Sequence, residues 1–218
     1  MKKIEITVEL LNGICEKYSR ALFEWQKNWK NNQFHRNRIL HKGRQVGADW
    51  YFSLEALHDA MLTGRNKLFL GEMSECALGY FCGHLNIKHN EEGFFELSNG
   101  AQISFIRELE TTFSERFGDV YISEWAWLES PKEWVDIALN ITLHDRWRRT
   151  FYSSRSEQDN SGDLRYTLFD GDKVNGEPTF FDRVNGWDVP EIINVNNMIG
   201  HFECHDRWGE EILCKLNY

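Results

Sequence analysis

The segment Lys42-Gly43-Arg44-Gln45-Val46-Gly47-Ala48-Asp49-Trp50 carries the residue types an anion site needs: two cations and two glycines in a short loop that opens into a helix. Such a loop presents backbone N–H groups and the positive end of a helix dipole to phosphate oxygens. It is a modified phosphate-binding loop, not the standard G-x-x-x-x-G-K-[ST]. Counted from Gly47, the lysine position holds Ala48, the hydroxyl position Asp49 and the first glycine position Lys42. The basic side chains have moved forward, to Lys42 and Arg44. A second stretch, Asp119-Val120-Tyr121-Ile122-Ser123-Glu124, is a short apolar strand ending on a carboxylate. In phosphoryl transfer one acidic group at such a place holds Mg²⁺ and the next polarises the attacking water. Glu124 takes the second of these positions, and Ser123 stands where an Asp is usual. A third stretch, 149–156, runs from a strand into small hydroxyl residues that include Ser153 and Ser154. These suit hydrogen bonding at the edge of a nucleotide, or a plain polar turn.

Elements with the right periodicity surround these residues. Arg38-Ile39-Leu40-His41 reads as a buried strand entering the loop, and Trp50, Leu54, Leu57 and Met61 recur at helical spacing on one face after it. Thr63-Gly64-Arg65-Asn66 stops that helix, 67–70 is a short apolar strand, and 74–85 reads as a helix capped by Ser74. Asn99-Gly100 between the apolar stretches 94–98 and 101–106 predicts a hairpin at the sheet edge. A helix over 131–143 precedes the last strand. The alternation predicts an α/β fold in which 38–41, 67–70, 120–122 and 149–152 are neighbouring strands, with 49–62 packed across one face.

Composition narrows the partners. The chain has 218 residues, 41% of them hydrophobic and only three prolines, which fits one compact domain. A formal net charge of −9 repels nucleic acid from the surface as a whole. DNA contact would therefore need another subunit or a local patch such as Lys27, Lys30, Arg36 and Arg38, or Arg146, Arg148 and Arg149; solvated charged faces are the competing reading. No apolar run reaches membrane-spanning length and no signal-peptide pattern is present, so a cytoplasmic protein with no membrane contact is expected. Cys15, Cys76, Cys82, Cys204 and Cys214 form no C-x-x-C pair, as reduced thiols would. His201-Phe202-Glu203-Cys204-His205 holds metal-capable side chains but lacks a second ligand pair, and ordinary surface is the expectation.

Taken in order, five segments resemble the ATPase region of large terminase subunits of contractile-tailed phages. Phe23-Glu24-Trp25-Gln26-Lys27-Asn28-Trp29 is similar to the family's adenine-side aromatic and glutamine motif, and 42–50 to its K-S-R-Q-x-G-A-T-W loop. The stretch 60–70 resembles its helix end and next strand, 97–101 its hairpin, and 149–156 its coupling motif. The resemblance implies a P-loop NTPase-like fold with a mainly parallel central sheet flanked by helices and an edge hairpin. It divides the chain into an ATPase domain, 1–156, with its core at 38–156 and an adenine-side segment at 1–37, and a short, acidic, turn-rich tail at 157–218. That tail is too short for a complete nuclease domain.

The resemblance also implies roles and ligands, with ATP and Mg²⁺ as the bound groups. Gln26 reads the adenine edge, Arg44 contacts terminal phosphates, and Lys42, Gly43, Gln45, Gly47 and Ala48 line the phosphates. Glu124 is the catalytic carboxylate, working with Arg44, while Ser153 and Ser154 couple nucleotide state to movement. Asp49 and Ser123 depart from the family pattern in a related way, because a hydroxyl and a carboxylate have changed places; together they would still supply both kinds of metal ligand. Without such a bridge Asp49 is costly, since two unit charges roughly 4 Å apart at an effective dielectric of about 20 repel by about 4 kcal/mol. Arg107 and Arg116, between hairpin and acidic strand, suit a trans-acting arginine finger or plain surface. The implied function is an ATP-hydrolysing motor domain of a DNA-packaging terminase, truncated or prophage-derived. It would meet double-stranded viral DNA through partner subunits, the small terminase subunit and the procapsid portal, and act as a homo-oligomer. The runner-up is a non-catalytic interaction or regulatory protein that keeps the fold.

Overall fold

Short apolar runs with alternating side chains make a sheet with two buried faces. The computed structural model describes residues 2–88, 93–109, 116–168, 173–174, 176–202 and 207–215, and the side chains of these except Lys2 and 199–202. Its strands in chain order are β1 (Lys2–Ile4), β2 (Asn37–Lys42), β3 (Lys67–Leu70), β4 (Phe94–Leu97), β5 (Gln102–Ile106), β6 (Asp119–Ser123), β7 (Arg149–Ser153), β8 (Lys173–Val174) and β9 (Glu177–Val184). They lie in the order β1-β4-β5-β3-β6-β7-β2-β9-β8. From β5 to β9 every neighbouring pair is parallel, while β4 is antiparallel to β5 and β8 to β9. The strands expected as neighbours, β3, β6, β7 and β2, are adjacent in that order. The β4–β5 hairpin lies near one edge, with β1 outside it.

Strand alternation sorts side chains to the two faces. Leu40, Phe69, Phe105, Tyr121 and Tyr152 point to a core shared with α1 (Val8–Arg20), α2 (Glu24–Asn31), α3 (Ala48–Thr63) and α4 (Ser74–His84). Ile39, Leu68, Leu70, Ile122 and Phe151 point the other way, onto Trp134, Val135 and Ala138 of α5 (Pro131–Ile141). The shorter helices α6 (Arg165–Leu168), α7 (Val195–Phe202) and α8 (Trp208–Leu213) follow β7 in the chain.

Three expectations need correction. The helix after the loop is not amphipathic: α1 and α4 pack on it opposite the sheet, and Tyr51, Phe52, Leu54, Ala56, Leu57 and Ala60 are all fully buried. Ser74 does not cap α4; Gly71, at φ +97°, turns the chain so that the Ser74 N–H donates to the Gly71 carbonyl at 2.9 Å, and the cap is Met73. The basic residues proposed for DNA are largely committed inside the fold. Arg38 is buried with both guanidinium ends on Glu55 (2.6 and 3.0 Å). Arg148 bonds Asp59 and Asp119, Arg149 bonds Thr142 and Asn37, and Arg36 bonds Glu177.

Residues 157–218, turn-rich by sequence, supply β9, which pairs with β2 in register from Asn37↔Thr179 to Lys42↔Val184. Two of its aspartates have structural partners: Asp182 accepts from Trp29 Nε1 of α2 at 3.0 Å, and Asp188 accepts from the nearby Asn185 N–H at 2.8 Å. Asp170, Asp172, Cys204 and the side chains of the 201–205 cluster lie outside the described residues.

Candidate functional site

Parallel strands bring their carboxyl ends to one edge, and ligands of such sheets bind in the crevice outside it. At that edge β2 exits into Gly43–Gly47, β6 into Glu124, and β7, which lies between them, into Ser154. The loop turns through two left-handed residues, Gln45 (φ 63°) and Gly47 (φ 83°), before α3 starts at Ala48. No N–H from Gln45 to Trp50 finds an acceptor among the described residues; the next, Tyr51 N–H, donates to the Gly47 carbonyl. Helix N-terminal N–H groups left open in this way form an anion cradle.

Lys42, the last residue of β2, reaches across β7 to form an ion pair with Glu124 Oε1. The other oxygen, Oε2, accepts from Ser154 N–H (2.7 Å), Ser154 Oγ (2.9 Å) and Ser153 Oγ (3.3 Å). Glu124 is held by its backbone as well: it sits at φ 46°, ψ 41°, and its N–H donates to the Tyr152 carbonyl at 2.7 Å. A left-handed residue with a side chain costs on the order of 1 kcal/mol, and strain of that kind concentrates at functional sites. Burial raises the Glu124 carboxyl, but Lys42 and the donors of Ser154 outweigh it and leave it below the ordinary carboxylate range.

Asp49, in the first turn of α3, faces the neighbouring pair Ser123 and Tyr152, which are in register on β6 and β7. Its Oδ1 accepts from Ser123 Oγ at 2.7 Å and Tyr152 OH at 2.9 Å. Burial pushes this carboxyl above the ordinary range, with Lys42 and Ser123 pulling it partly back. The two carboxyls of one cleft are thus driven apart, Asp49 up and Glu124 down, which is the condition for giving them different tasks.

Lys42, Asp49, Ser123, Glu124, Ser153 and Ser154 therefore meet at the carboxyl edge of the sheet. Arg44 lies at its rim, with Nε 2.7 Å from Glu211 Oε2 and its guanidinium 5.0 Å from the centre of the Trp127 ring. Gln26 is fully buried beneath the loop, accepting from the Phe23 N–H at 3.0 Å and donating to the Gly47 carbonyl at 3.5 Å. Arg107 pairs with Glu75 of α4 at 3.3 Å. Sequence reasoning missed Tyr152, Trp127, Glu210 and Glu211. Tyr152 lies within Arg149-Thr150-Phe151-Tyr152-Ser153, a mixed run whose sequence does not show which face each side chain takes.

The oxygen donors of Asp49 and Ser123 are the ligand type that hard divalent cations take. Among the described residues no group of three or more His, Cys, Asp or Glu could hold a metal by protein side chains alone. Mg²⁺ needs no such cage, since it commonly uses one or two protein ligands together with phosphates and water.

No protein-family model matches the chain. It is 32% identical over 174 residues to the probable terminase ATPase subunit of Haemophilus phage HP1, a match covering 76% of this chain and 28% of that protein. It is 25% identical over 221 aligned residues to the terminase ATPase subunit of Escherichia phage P2, covering 97% and 36%. The chain thus spans about a third of the length of these curated relatives. In structure it resembles the large terminase ATPase domain of Thermus phage P74-26, with a TM-score of 0.64, 11% identity and 97% and 99% of the two chains covered. The large terminase of a thermophilic bacteriophage in complex with ADP gives a TM-score of 0.61 at 13% identity, over 95% of this chain and 52% of that one. The structural matches carry the P-loop-type fold, and the sequence matches carry the kinship. The chain is a divergent relative of the phage terminase ATPase subunits.

Proposed function

We propose that this chain is an ATP-binding and ATP-hydrolysing motor region of a phage DNA-packaging terminase, using Mg²⁺, in the host cytoplasm. The observation that carries the reading is the Lys42–Glu124 pair, which ties the loop strand to the acidic strand across β7. Lys42, Gly43, Gln45, Gly47 and Ala48 line the phosphates, Arg44 meets the terminal ones, and Glu124 orients the attacking water. Asp49 and Ser123 are the residues that would hold Mg²⁺, which supplies neutralisation of phosphate charge when bound. Gln26, bonded to the Gly47 carbonyl, links the adenine-side segment to the phosphate loop. Ser153 and Ser154, both on Glu124 Oε2, relate the position of β7 to the state of the catalytic carboxylate.

The implied partners are double-stranded DNA held by other subunits, the small terminase subunit, the portal and further copies of this chain. Residues 157–218 act with the ATPase core through β9 and carry no nuclease centre in this reading. One observation favours the competing reading, a non-catalytic interaction or regulatory protein: Asp49 Oδ1 is already engaged by two hydroxyls. Mg-ATP binding and turnover by the purified chain separate the two. The ATPase reading expects both; the interaction reading expects neither.

A further inference from the structure

Away from the phosphate loop, the amino ends of β6 and β7 border a cleft of about 570 Å³, a size that takes a bulky side chain. Phe117 and Trp147, each two residues ahead of its strand, line it together with Ile137 and Ile141, one turn apart on α5. Two guanidinium groups hold the Trp147 ring, Arg146 at 4.3 Å and Arg65 at 5.0 Å from its centre. Arg65 is committed to Asp119, whereas the Arg146 guanidinium meets no acceptor among the described residues. Arg116 and His144 also line the cleft, and no lining residue is acidic; Asp145, next in the chain, pairs with His144 at 2.9 Å. The apolar surface here is open: Phe117 is 50% exposed and Leu143, another lining residue, 73%. Cations around exposed apolar groups, in a chain of net charge −9, mark a docking place for a partner that is acidic and carries an apolar anchor.

The chain itself presents such a group. β9 runs parallel to β2, so the turn after Val184 leaves at the opposite, carboxyl edge of the sheet. There Trp187 is 49% and Ile192 50% exposed, and the exposed carboxylates Asp188 and Glu191 stand beside them in the chain with no cation partner among the described residues. The turn is anchored at its base: the Trp187 N–H donates to Asn185 Oδ1 at 2.8 Å, and a Cβ on Gly186 would stand 2.9 Å from Ile212 Cγ2. We propose that the Trp187 turn of one copy docks in the Trp147 cleft of the next, with Trp187 as the anchor and Asp188 and Glu191 facing the arginines. An aromatic anchor in a pocket with charge pairs around it is the usual make-up of an interface centre. Duplex DNA fits less well, since its backbone offers phosphates and nothing apolar to fill the cleft. Turn and cleft lie at opposite sheet edges, so the contact is head to tail, and copies join in a row or close into a ring. This rests on the reading above that further copies of the chain are partners, and gives that association its two surfaces.

The test is sedimentation of the full chain over a concentration series reaching about 300 µM, where a small, transient contact shows, alongside Arg146→Glu, which spoils the cleft, and Trp187→Ala, which removes the anchor. The unaltered chain should gain mass with concentration, less so in high salt, and either variant should weaken association at least about tenfold while circular dichroism shows it folded. Each variant keeps the part the other lacks, so an equimolar mixture should form pairs of one copy of each and stop there. A folding fault in either variant cannot produce that pairing. If the unaltered chain associates but the mixture stays single, or the variants associate as it does, the contact is overturned while self-association stands. A chain that remains single at every concentration overturns both, and if duplex DNA then binds it in an Arg146-dependent way, the cleft belongs to nucleic acid.

Discussion

Ser123, the last residue of β6, donates a 2.7 Å hydrogen bond to Asp49 in the first turn of α3. In the reading proposed above, this single contact joins the two positions at which a hydroxyl and a carboxylate have changed places. The combined change Asp49→Thr with Ser123→Asp should keep or raise Mg-ATP affinity, and each single change should do worse than the pair. Calorimetric titration of the four proteins measures the coupling. Additive effects would mean that the two positions have diverged independently.

The opposite edge of the sheet is built for stability. Lys67 is fully buried and pairs with Asp59 and with Asp119, at 2.6 Å, while Arg65 and Arg148 complete the cluster. Lys67→Met removes two charge-assisted hydrogen bonds from Asp59 and Asp119, which keep Arg148 and Arg65, and should cost about 2 kcal/mol in urea unfolding. Nucleotide affinity per folded molecule should not change. Against the cost of burial, Lys67 and the two arginines hold the Asp119 carboxyl well below its ordinary range. Its contribution is therefore complete above the unfolded carboxylate range and is lost as pH falls through and below it.

Acid sensitivity should begin earlier, at two buried histidines. Burial lowers His41 from 6.5 to about 3 and His84 to about 4, with nearby cations adding to the effect at His41. The unfolded chain takes up protons below pH 6.5 while the folded chain does not, so stability falls from that pH downward until the folded values are reached. The slope should approach about 1.4 kcal/mol per pH unit for each histidine. Thermal midpoints between about pH 7 and 5 check this. A flat profile over that range contradicts it, and His84→Gln should reduce the slope.

What was legible in the sequence was what local chemistry dictates. Strands β3 and β6 hold short apolar runs, β7 leads into a run of small hydroxyl residues, and Asn99-Gly100 turns a hairpin whatever surrounds it. Strands β1 and β9 were not legible. β1 spans Lys2–Ile4 and β9 reads Glu-Pro-Thr-Phe-Phe-Asp-Arg-Val, so neither has the apolar pattern of a strand. Each is stabilised by a parallel partner far away in the chain. The site divided in the same way. Loop and acidic strand showed their residue types, whereas Tyr152 on Asp49 and Glu211 on Arg44 depend on which faces and ends the fold brings together.

The basic residues bear on DNA. Arg38, Arg148 and Arg149, basic residues the sequence offered for DNA, are bonded internally, and a net charge of −9 repels phosphates from the surface as a whole. The chain alone should bind duplex DNA weakly at most, less so as salt rises, and should not cut it with Mg²⁺ or Mn²⁺. Plasmid cleavage abolished by Asp163→Ala or Asp182→Ala, but not by Glu124→Gln, would contradict this and the role given to 157–218.

Comparing Mg-ATP binding with single-turnover hydrolysis in the chain and its Glu124→Gln variant tests the central claim most directly. Gln keeps the shape and an acceptor for Ser154 but loses the charge that pairs with Lys42. Hydrolysis should fall by about 10² to 10⁴, the usual span for a lost general base, while nucleotide affinity changes by no more than severalfold. Equal hydrolysis by both proteins, or no nucleotide binding by either, would contradict the account.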